Sequence, residues 1–184
     1  MKEMVMSEAE ILAACKRIGA ELTERLKNEK RVPLFVCVMR GAMNFMADLM
    51  KYIKTDILVD YVQVRSMCGT KSTGVVHFDR DVTIDVKDRV IVLVEDVVDT
   101  GITMRFLKQH FAEMSPKDVF IASLLDKRAD RACVIEADYV GKTLNEKTFV
   151  VGYGLDYRDM VRNTPYIYIP DEDEIKAWDE KISQ

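Results

Sequence analysis

Residues Val90–Val94, with the sequence Val-Ile-Val-Leu-Val, run directly into Glu95–Thr103, with the sequence Glu-Asp-Val-Val-Asp-Thr-Gly-Ile-Thr. Five apolar, mostly β-branched residues in a row are typical of a parallel strand that is buried on both faces. Three carboxylates, two hydroxyls and one glycine then follow within nine residues. Because ligands of open parallel sheets bind outside the carboxyl ends of the strands, we expect a binding site in this turn.

The residues after this turn predict a helix and a second strand. Apolar side chains recur there at spacings of three, four and three residues, and Ser115-Pro116 ends the pattern. The run Val119–Leu125 then predicts another buried strand. A strand, a helix and a strand within about 35 residues form a βαβ unit, which implies a right-handed crossover and a parallel sheet.

The rest of the chain also alternates between helical and strand patterns. Ser7–Glu10 has the Ser-x-x-Glu pattern of a capping box, and apolar residues at helical spacing follow it over residues 11–26. Further predicted elements are a strand at Leu34–Val38, a helix at Asn44–Lys54, a strand at Ile57–Val64, a polar loop at residues 66–74, a short strand at Phe149–Val151 and a helix at Asp171–Ile182. We therefore predict one α/β domain over residues 1–184.

The composition of the 184 residues is that of a globular protein, with 48% apolar and 32% charged residues. With 27 Lys and Arg against 31 Asp and Glu, the net charge of −4 gives no general attraction for nucleic acid. The longest apolar runs are about six residues, well short of the roughly 20 that span a membrane. Residues 1–6 show no apolar signal-peptide core, so we expect a cytoplasmic protein without membrane or nucleic-acid partners.

The cysteines and histidines form no recognisable reactive motif. The four cysteines, at positions 15, 37, 68 and 133, include no C-x-x-C pair and have no histidine at metal-ligand spacing. We expect free thiols, with Cys15 and Cys37 in the core. His77 and His110 lie outside the motifs of histidine-dependent hydrolases, so we do not expect histidine chemistry.

The segment Thr100–Thr103 offers backbone N–H groups, two hydroxyls and a predicted helix N-terminus, which together suit a bound phosphate. The carboxylates just before it suit hydroxyl or metal-binding groups on the same ligand. A solvated acidic loop with a threonine helix cap is the alternative interpretation of this composition.

The order of these residues resembles a known family signature. Four hydrophobic residues, Glu-Asp, two hydrophobic residues and Asp-Thr-Gly-x-Thr resemble the site for 5-phosphoribosyl 1-pyrophosphate (PRPP) in type I phosphoribosyltransferases. Four other segments resemble parts of the same enzymes: Val38–Ala42 the pyrophosphate loop, Ser66–Gly74 the flexible catalytic loop, Ser123–Arg128 the purine-side lysine segment, and Phe149–Tyr157 the 6-oxopurine segment. With Arg162–Tyr166, the similarity to the hypoxanthine-guanine members of this family extends over residues 33–170.

The resemblance implies an α/β type I phosphoribosyltransferase fold: a central, mostly parallel sheet flanked by helices, with a small hood and a flexible loop. It also implies a purine-salvage enzyme that uses Mg²⁺ and moves phosphoribose from PRPP to N9 of hypoxanthine or guanine. The expected products are IMP or GMP and pyrophosphate, and the use of xanthine depends on contacts at its 2-position. A homodimer or homotetramer is expected from the resemblance alone.

The resemblance assigns a PRPP site to one continuous segment. Carried over residue by residue, the PRPP-binding set is Glu95, Asp96, Val97, Val98, Asp99, Thr100, Gly101, Ile102 and Thr103. Glu95 and Asp96 would accept hydrogen bonds from the ribose hydroxyls, and their charge suits an oxocarbenium-like transition state. Asp99 is the expected catalytic residue, beside purine N7, where it can take or share the proton that the base loses. Residues 100–103 would hold the 5′-phosphate.

The remaining site residues are assigned in the same way. The expected pyrophosphate residues are Met39, Arg40, Gly41, Ser66, Met67, Arg131 and Arg162; the purine residues are Lys127, Thr148, Phe149, Val150 and Asp156; and the Mg²⁺ ligands are Glu95, Asp96 and Asp156. Lys127 would donate to purine O6, which favours a keto group over an amino group. Phe149 would stack on the base, and the Val150 backbone would contact its 2-position.

Two departures from the family pattern lie on the pyrophosphate side. Met39-Arg40 stands where Leu-Lys is common, which keeps the charge but changes its hydrogen-bond geometry. Ser66-Met67 stands where Ser-Tyr is usual, so a hydroxyl and an aromatic face are missing. From a different functional class, an RNA-binding regulator of the same fold is the alternative, and the net charge of −4 argues weakly against it.

Overall fold

The structure is a computed structural model that describes residues 3–66 and 76–183. Its strands are β1 (Glu3–Met6), β2 (Leu34–Met39), β3 (Leu58–Ser66), β4 (Val76–Arg80), β5 (Val90–Val98), β6 (Asp118–Lys127), β7 (Tyr139–Leu144) and β8 (Ile167–Ile169). Its helices are α1 (Glu8–Leu26), α2 (Met43–Met50), α3 (Ile102–Glu113) and α4 (Glu172–Ile182). The predicted capping box of α1 is confirmed, because the Ser7 side chain accepts from the Glu10 N–H and the Glu10 carboxylate accepts from the Ser7 N–H.

A six-stranded sheet with the order β4-β3-β2-β5-β6-β7 lies at the centre of the described residues. Neighbouring strands are parallel except for β3 and β4, which are antiparallel. The prediction of a mostly parallel central sheet is therefore confirmed. The β5-α3-β6 unit is the βαβ unit that the sequence pattern predicts.

Alternate residues of β5 enter two different cores. Val90, Val92 and Val94 pack in the cluster that contains the buried side chains of α1 and α2. Ile91 and Leu93 pack in the cluster that contains the buried side chains of α3. Helices thus cover both faces of the sheet, which explains why every residue in the first half of β5 is apolar.

Strand β5 continues past its apolar run into the acidic residues. The sequence pattern ends at Val94, but the strand extends to Val98 because Glu95, Val97 and Val98 keep their pairing with β6. Glu95 and Asp96 are therefore held in the sheet ladder and not in a free loop. The carboxyl ends of β5 and β6 place the turn at residues 99–101 next to Lys127.

The prediction of a strand at Phe149–Val151 is wrong. Val151 alone forms a bridge, to Tyr168, because Gly152 and Gly154 have φ angles of 98° and 102° and turn the backbone away. Only glycine adopts such angles without steric cost. The segment is a tight turn beside the sheet rather than another strand.

Other differences lie at the edges of the fold. The helix predicted to end at Lys54 ends at Met50, and the residues after it close hydrogen-bonded turns. The sequence patterns do not predict β4, β7, β1 or β8. Strands β1 and β8 form a separate two-stranded antiparallel sheet, which corresponds to the predicted hood.

One predicted feature falls largely on residues that the structure does not describe. Most of the predicted loop at residues 66–74, including Met67 and Cys68, lies outside the described residues, and of Ser66 only the backbone is described.

Cys15 and Cys37 are free and buried, as predicted, and burial raises their thiol pKa values to about 11 and about 12. Among residues 3–66 and 76–183, no helix has the length and apolar character needed to cross a membrane.

Candidate active site

Two adjacent carboxylates are buried near the carboxyl end of β5. Glu95 is 7% exposed and Asp96 is 9% exposed, and the Asp96 N–H donates to Glu95 Oε1 at 3.1 Å. Burial, followed by repulsion from the Asp96 carboxylate, raises the pKa of Glu95 well above its usual range. Such a pair attracts a cation or a set of hydroxyl donors, because either would relieve the cost of two buried like charges.

The turn after β5 forms an open helix N-terminus. Gly101 has a φ of 82° and, as the N-cap of α3, has no side chain to cap the helix, although the Ile102 N–H donates to Thr100 Oγ1 at 3.4 Å. A Cβ at Gly101 would lie 2.3 Å from Ile135 Cγ2, so the position requires glycine for space as well as for backbone angle. The first N–H groups of α3 are thereby presented to an anion.

A cavity of about 200 Å³ joins this helix N-terminus to the acidic residues. It is lined by Glu95, Val97, Val98, Asp99, Thr100, Gly101, Thr103 and Met104. The structure therefore brings most of the predicted PRPP segment together around one space. Asp96 lies outside this lining, on the side that faces Gly41, and Ile102 lies inside the first turn of α3.

Asp99 and Lys127 meet at the rim of this cavity. The Lys127 ammonium lies 3.6 Å from Asp99 Oδ2, and the lysine side chain is nearly buried. Asp99 Oδ1 is also buried but has no hydrogen-bond partner. A buried acceptor without a partner is costly, and it is available to a donor on a ligand.

Arg131 lies behind the turn rather than beside the other predicted pyrophosphate residues. It forms an ion pair with Asp126, which is buried on β6, and its Cδ would lie 3.1 Å from a Cβ at Gly101. Arg128 also contacts Asp126, at 3.2 Å. Asp126 is not among the site residues predicted from the sequence; a carboxylate directly after the apolar run Val119–Leu125 was the available signal.

Three arginines line a groove of about 420 Å³ at the ends of β2 and β3. Its lining consists of Met39, Arg40, Gln63, Val64, Arg65 and Arg162. The Met39–Arg40 peptide bond is cis. Arg40 pairs with Asp159 at 3.3 Å, while Arg65, which the sequence analysis missed, pairs with Asp79 at 2.5 Å. The signal for Arg65 was a basic residue at the end of a predicted strand.

Gly41 connects this groove to the acidic pair. A Cβ at Gly41 would lie 1.9 Å from Asp96 Oδ2, a distance that no side chain can occupy. A Cβ at Gly154 would in turn lie 2.1 Å from the Gly41 carbonyl oxygen. The turn at residues 152–154 therefore packs backbone against backbone on the loop at residues 40–42, and this loop packs against the Asp96 side chain of β5.

The predicted purine residues border the same side of the sheet. Phe149 is half exposed, and its ring centroid lies 6.0 Å from that of Tyr157, which packs against Trp178 of α4 at 5.6 Å. Val150 is buried in the core, and Thr148 is partly buried. The ring face of Phe149 that does not touch Tyr157 is available for stacking.

Asp156 is held by its neighbours. Its carboxylate accepts from the Asp159 N–H at 2.7 Å and pairs with Arg162 at 2.9 Å. Within residues 3–66 and 76–183, no three acidic, histidine or cysteine side chains cluster as metal ligands. The predicted metal set of Glu95, Asp96 and Asp156 is thus not assembled by protein groups alone.

Known proteins share both the sequence and the fold. The family model described as "Phosphoribosyl transferase domain" matches residues 3–158. A hypoxanthine-guanine phosphoribosyltransferase of Streptococcus pneumoniae is 42% identical over 174 residues, which cover 94% of this chain and 95% of the relative. The protein of the same name from Bacillus subtilis is 40% identical over 168 residues, or 91% and 92% of the two chains. A crystal structure of a hypoxanthine phosphoribosyltransferase from Staphylococcus aureus superposes with a TM-score of 0.88 at 35% identity, covering 95% of this chain and 94% of that one.

Proposed function

The chain belongs to the phosphoribosyltransferase family, and on that premise we propose that it is a purine-salvage enzyme that transfers phosphoribose from PRPP to N9 of hypoxanthine or guanine. The products are IMP or GMP and pyrophosphate. The observation that carries this proposal is the single cavity that joins Glu95, the turn at residues 99–101 and the start of α3. The named relatives are transferases of this kind, so RNA binding is not proposed.

The 5′-phosphate of PRPP binds at the open N-terminus of α3. Thr100 and Thr103 supply hydroxyls, and the glycine at position 101 lets the phosphate approach the backbone. Glu95 and Asp96 accept hydrogen bonds from the ribose hydroxyls. Their negative charge then stabilises the positive charge that develops on the ribose as pyrophosphate leaves.

The purine base binds against Asp99 and Lys127. N7 and O6 are neighbouring atoms on one edge of a 6-oxopurine, and the 3.6 Å separation of the two side chains suits this edge. Lys127 donates to O6, and the free Oδ1 of Asp99 accepts the proton on the imidazole side of the base. Phe149 stacks on the ring, the Val150 backbone contacts the 2-position, and Thr148 and Asp156 border it.

The pyrophosphate group binds in the arginine groove. Arg40 and Arg162 offer forked guanidinium groups, which suit phosphate oxygens; Met39 lines the groove beside them, and Gly41 follows Arg40 in the same loop. Ser66 and Met67 belong to this set by resemblance. Arg131 acts from behind the phosphate turn, where it neutralises Asp126.

The residues present fit Mg²⁺ bound together with PRPP. Carboxylates are hard oxygen ligands, and Glu95 and Asp96 lie side by side and buried near the carboxyl end of β5. Mg²⁺ usually binds through one or two carboxylates and substrate phosphates, so Glu95 and Asp96 would hold it without a third protein carboxylate, and Asp156 would act through Arg162. When bound, Mg²⁺ neutralises charge on the leaving pyrophosphate.

A direct assay tests the proposed function. Purified protein is incubated with PRPP, Mg²⁺ and hypoxanthine, guanine, xanthine or adenine, and nucleotide formation is measured. We expect IMP and GMP to form, with no nucleotide formed after chelation of Mg²⁺. Absence of PRPP-dependent nucleotide with all four bases would contradict the proposal.

We also propose that the protein is cytoplasmic and forms a homodimer or homotetramer. Each subunit would be a single domain of residues 1–184. Met43, Val59 and Tyr61 are 48%, 44% and 40% exposed, and the latter two lie on one face of β3. These apolar side chains suit a subunit interface. Light scattering after size-exclusion chromatography measures the mass, and a monomer at micromolar concentration would contradict this part.

A further inference from the structure

Tyr153 connects the turn at residues 152–154 to helix α2. The side chain is 6% exposed, and its hydroxyl donates to Asp48 Oδ2 at 2.5 Å, with the Asn44 carbonyl oxygen 3.3 Å away. Burial, reinforced by the Asp48 carboxylate, raises the pKa of Tyr153, so the hydroxyl remains a donor. Burial raises the pKa of Asp48, but hydrogen bonds from Lys51 and Tyr153 outweigh burial and lower it, so the acceptor is charged. Hydrogen bonds to a charged acceptor are the stronger kind.

Other contacts join the same two units. The Asn44 side chain donates to the Arg162 carbonyl oxygen at 3.2 Å, and Arg162 Nη1 donates to the Gly154 carbonyl oxygen at 2.7 Å. Gly154 is also packed against the Gly41 carbonyl. Helix α2 follows directly after the loop at residues 40–42. The segment that carries Phe149 and Val150 is therefore attached to the loop that carries Arg40.

These contacts lie between the residues proposed to bind the purine and those proposed to bind pyrophosphate. On one side stand the purine residues Phe149 and Val150, and on the other stand Arg40 and Gly41. We propose that Tyr153 and Asp48 are positioning residues that set the alignment of the purine with PRPP. The proposal rests on the proposed function, and neither side chain contacts the reacting atoms.

The physical expectation is a loss of turnover with little loss of binding. The purine residues and the pyrophosphate residues each keep their own ligand contacts when the Tyr153–Asp48 bond is removed. The KM values for PRPP and hypoxanthine should therefore stay within about threefold of the wild-type values. Misalignment of reactants by about 1 Å can cost up to about 100-fold in rate. We expect kcat to fall about tenfold in Tyr153→Phe, a change within that range.

A set of four variants tests the assignment. Tyr153→Phe removes the donor, and Asp48→Ala removes the acceptor. Asp48→Asn keeps an acceptor oxygen and should rescue most of the turnover. Because the two residues share one contact, the double variant Tyr153→Phe/Asp48→Ala should be no slower than either single variant. Lys51→Gln, which removes the exposed partner of Asp48 at the C-cap of α2, should match the wild type.

The measured kcat is divided by the number of sites that bind IMP in calorimetry, which removes any contribution from unfolded protein. A wild-type value for Tyr153→Phe would overturn the proposal, as would additive losses or equal losses for Asp48→Asn and Asp48→Ala. Tyr153→Phe deletes one oxygen atom and carries the test alone should Asp48→Ala not fold. The wild-type enzyme in the same assay tests the proposed function separately, since its inactivity would contradict that function and not the positioning role.

Discussion

The carboxylate of Asp99 has two different environments. One oxygen faces the Lys127 ammonium at 3.6 Å, and the other is buried without a partner. The ammonium holds the carboxylate in place, and the unpartnered oxygen is free to accept a proton. In the proposed reaction, the two oxygens have separate tasks, one in orienting the side chain and one in accepting the proton.

Asp99→Asn tests the second task. Asparagine keeps the shape and an oxygen acceptor but is not a base, and loss of a general base costs about 100-fold to 10,000-fold in rate. We expect kcat to fall within this range, with the KM for PRPP little changed. Asp130→Asn, in which the replaced carboxylate pairs with Lys147 at 3.2 Å, is the matched control and should keep wild-type turnover. Wild-type turnover in Asp99→Asn would remove Asp99 from the proton transfer.

We expect Lys127 to determine which base is accepted. A 6-amino group is a second donor, so adenine would offer the nearly buried ammonium no acceptor in place of O6. Sites built on such hydrogen bonds can discriminate by about 10,000-fold or more. We expect kcat/KM for adenine to be lower than for hypoxanthine by this order. Comparable values for the two bases, measured with the wild-type enzyme, would contradict the role of Lys127.

In the proposed function, PRPP binding depends on the start of α3. Gly101 combines a φ of 82° with a contact to Ile135 that leaves no space for a Cβ. Left-handed backbone costs roughly 1–2 kcal/mol in a residue with a side chain, and the crowding adds to it.

We therefore expect Gly101→Ala to raise the KM for PRPP at least about tenfold, because the strain of about 1–2 kcal/mol corresponds to this factor and falls on the phosphate turn. The KM for hypoxanthine should change less. Steady-state kinetics with each substrate varied in turn measure both values. An unchanged KM for PRPP would show that the turn accommodates a side chain.

Elements with a strong local pattern could be predicted from the sequence. The unbroken apolar run of β5 and the capping box of α1 each specify their structure within a few residues. Strand β7 has no such pattern, since none of its residues is buried, and its conformation comes from pairing with β6. The apolar run at Phe149–Val151 suggests a strand, but the positive φ angles of Gly152 and Gly154 turn the backbone away from the sheet.

At the scale of the whole molecule, the site is assembled from distant parts of the chain. The position of the acids at the end of β5 could be predicted, because parallel sheets place ligands there. The Tyr153–Asp48 bond could not, since 105 residues separate its partners and no local pattern links them. The same holds for the placement of Arg131 against Gly101 rather than in the arginine groove.

Acid stability also depends on a long-range contact. Burial raises the pKa of Asp60 on β3, but N–H donors from Thr83 and Tyr61 and the Arg80 guanidinium outweigh burial and lower the pKa from 3.8 to about 2. A carboxylate whose pKa is lowered by folding stabilises the fold at pH values above its pKa in the unfolded chain. This stabilisation is lost as the pH falls toward the lowered pKa. The free energy of unfolding should therefore decrease between about pH 4 and pH 2.

Asp60→Asn should be less stable than the wild type by roughly 2 kcal/mol at pH 7, and the difference should shrink toward pH 2. Urea unfolding followed by circular dichroism across this pH range measures it. Asp85→Asn, which alters an exposed ion pair with Arg31, is the matched control and should show little change. A difference between Asp60→Asn and wild type that did not depend on pH would show that the hydrogen bonds, and not the charge, stabilise β3.

The contact between Tyr157 and Trp178 gives the chain a built-in optical reporter. Trp178 is the single tryptophan of the sequence, and Tyr157 lies between it and Phe149. A purine stacked on Phe149 would disturb this row of rings, so the emission of the unlabelled protein should change as IMP is added. Nucleotide affinity could then be followed by fluorescence in every variant described above, including those too slow for a turnover assay. Emission that stayed constant at saturating IMP would show that Trp178 is insulated from the base.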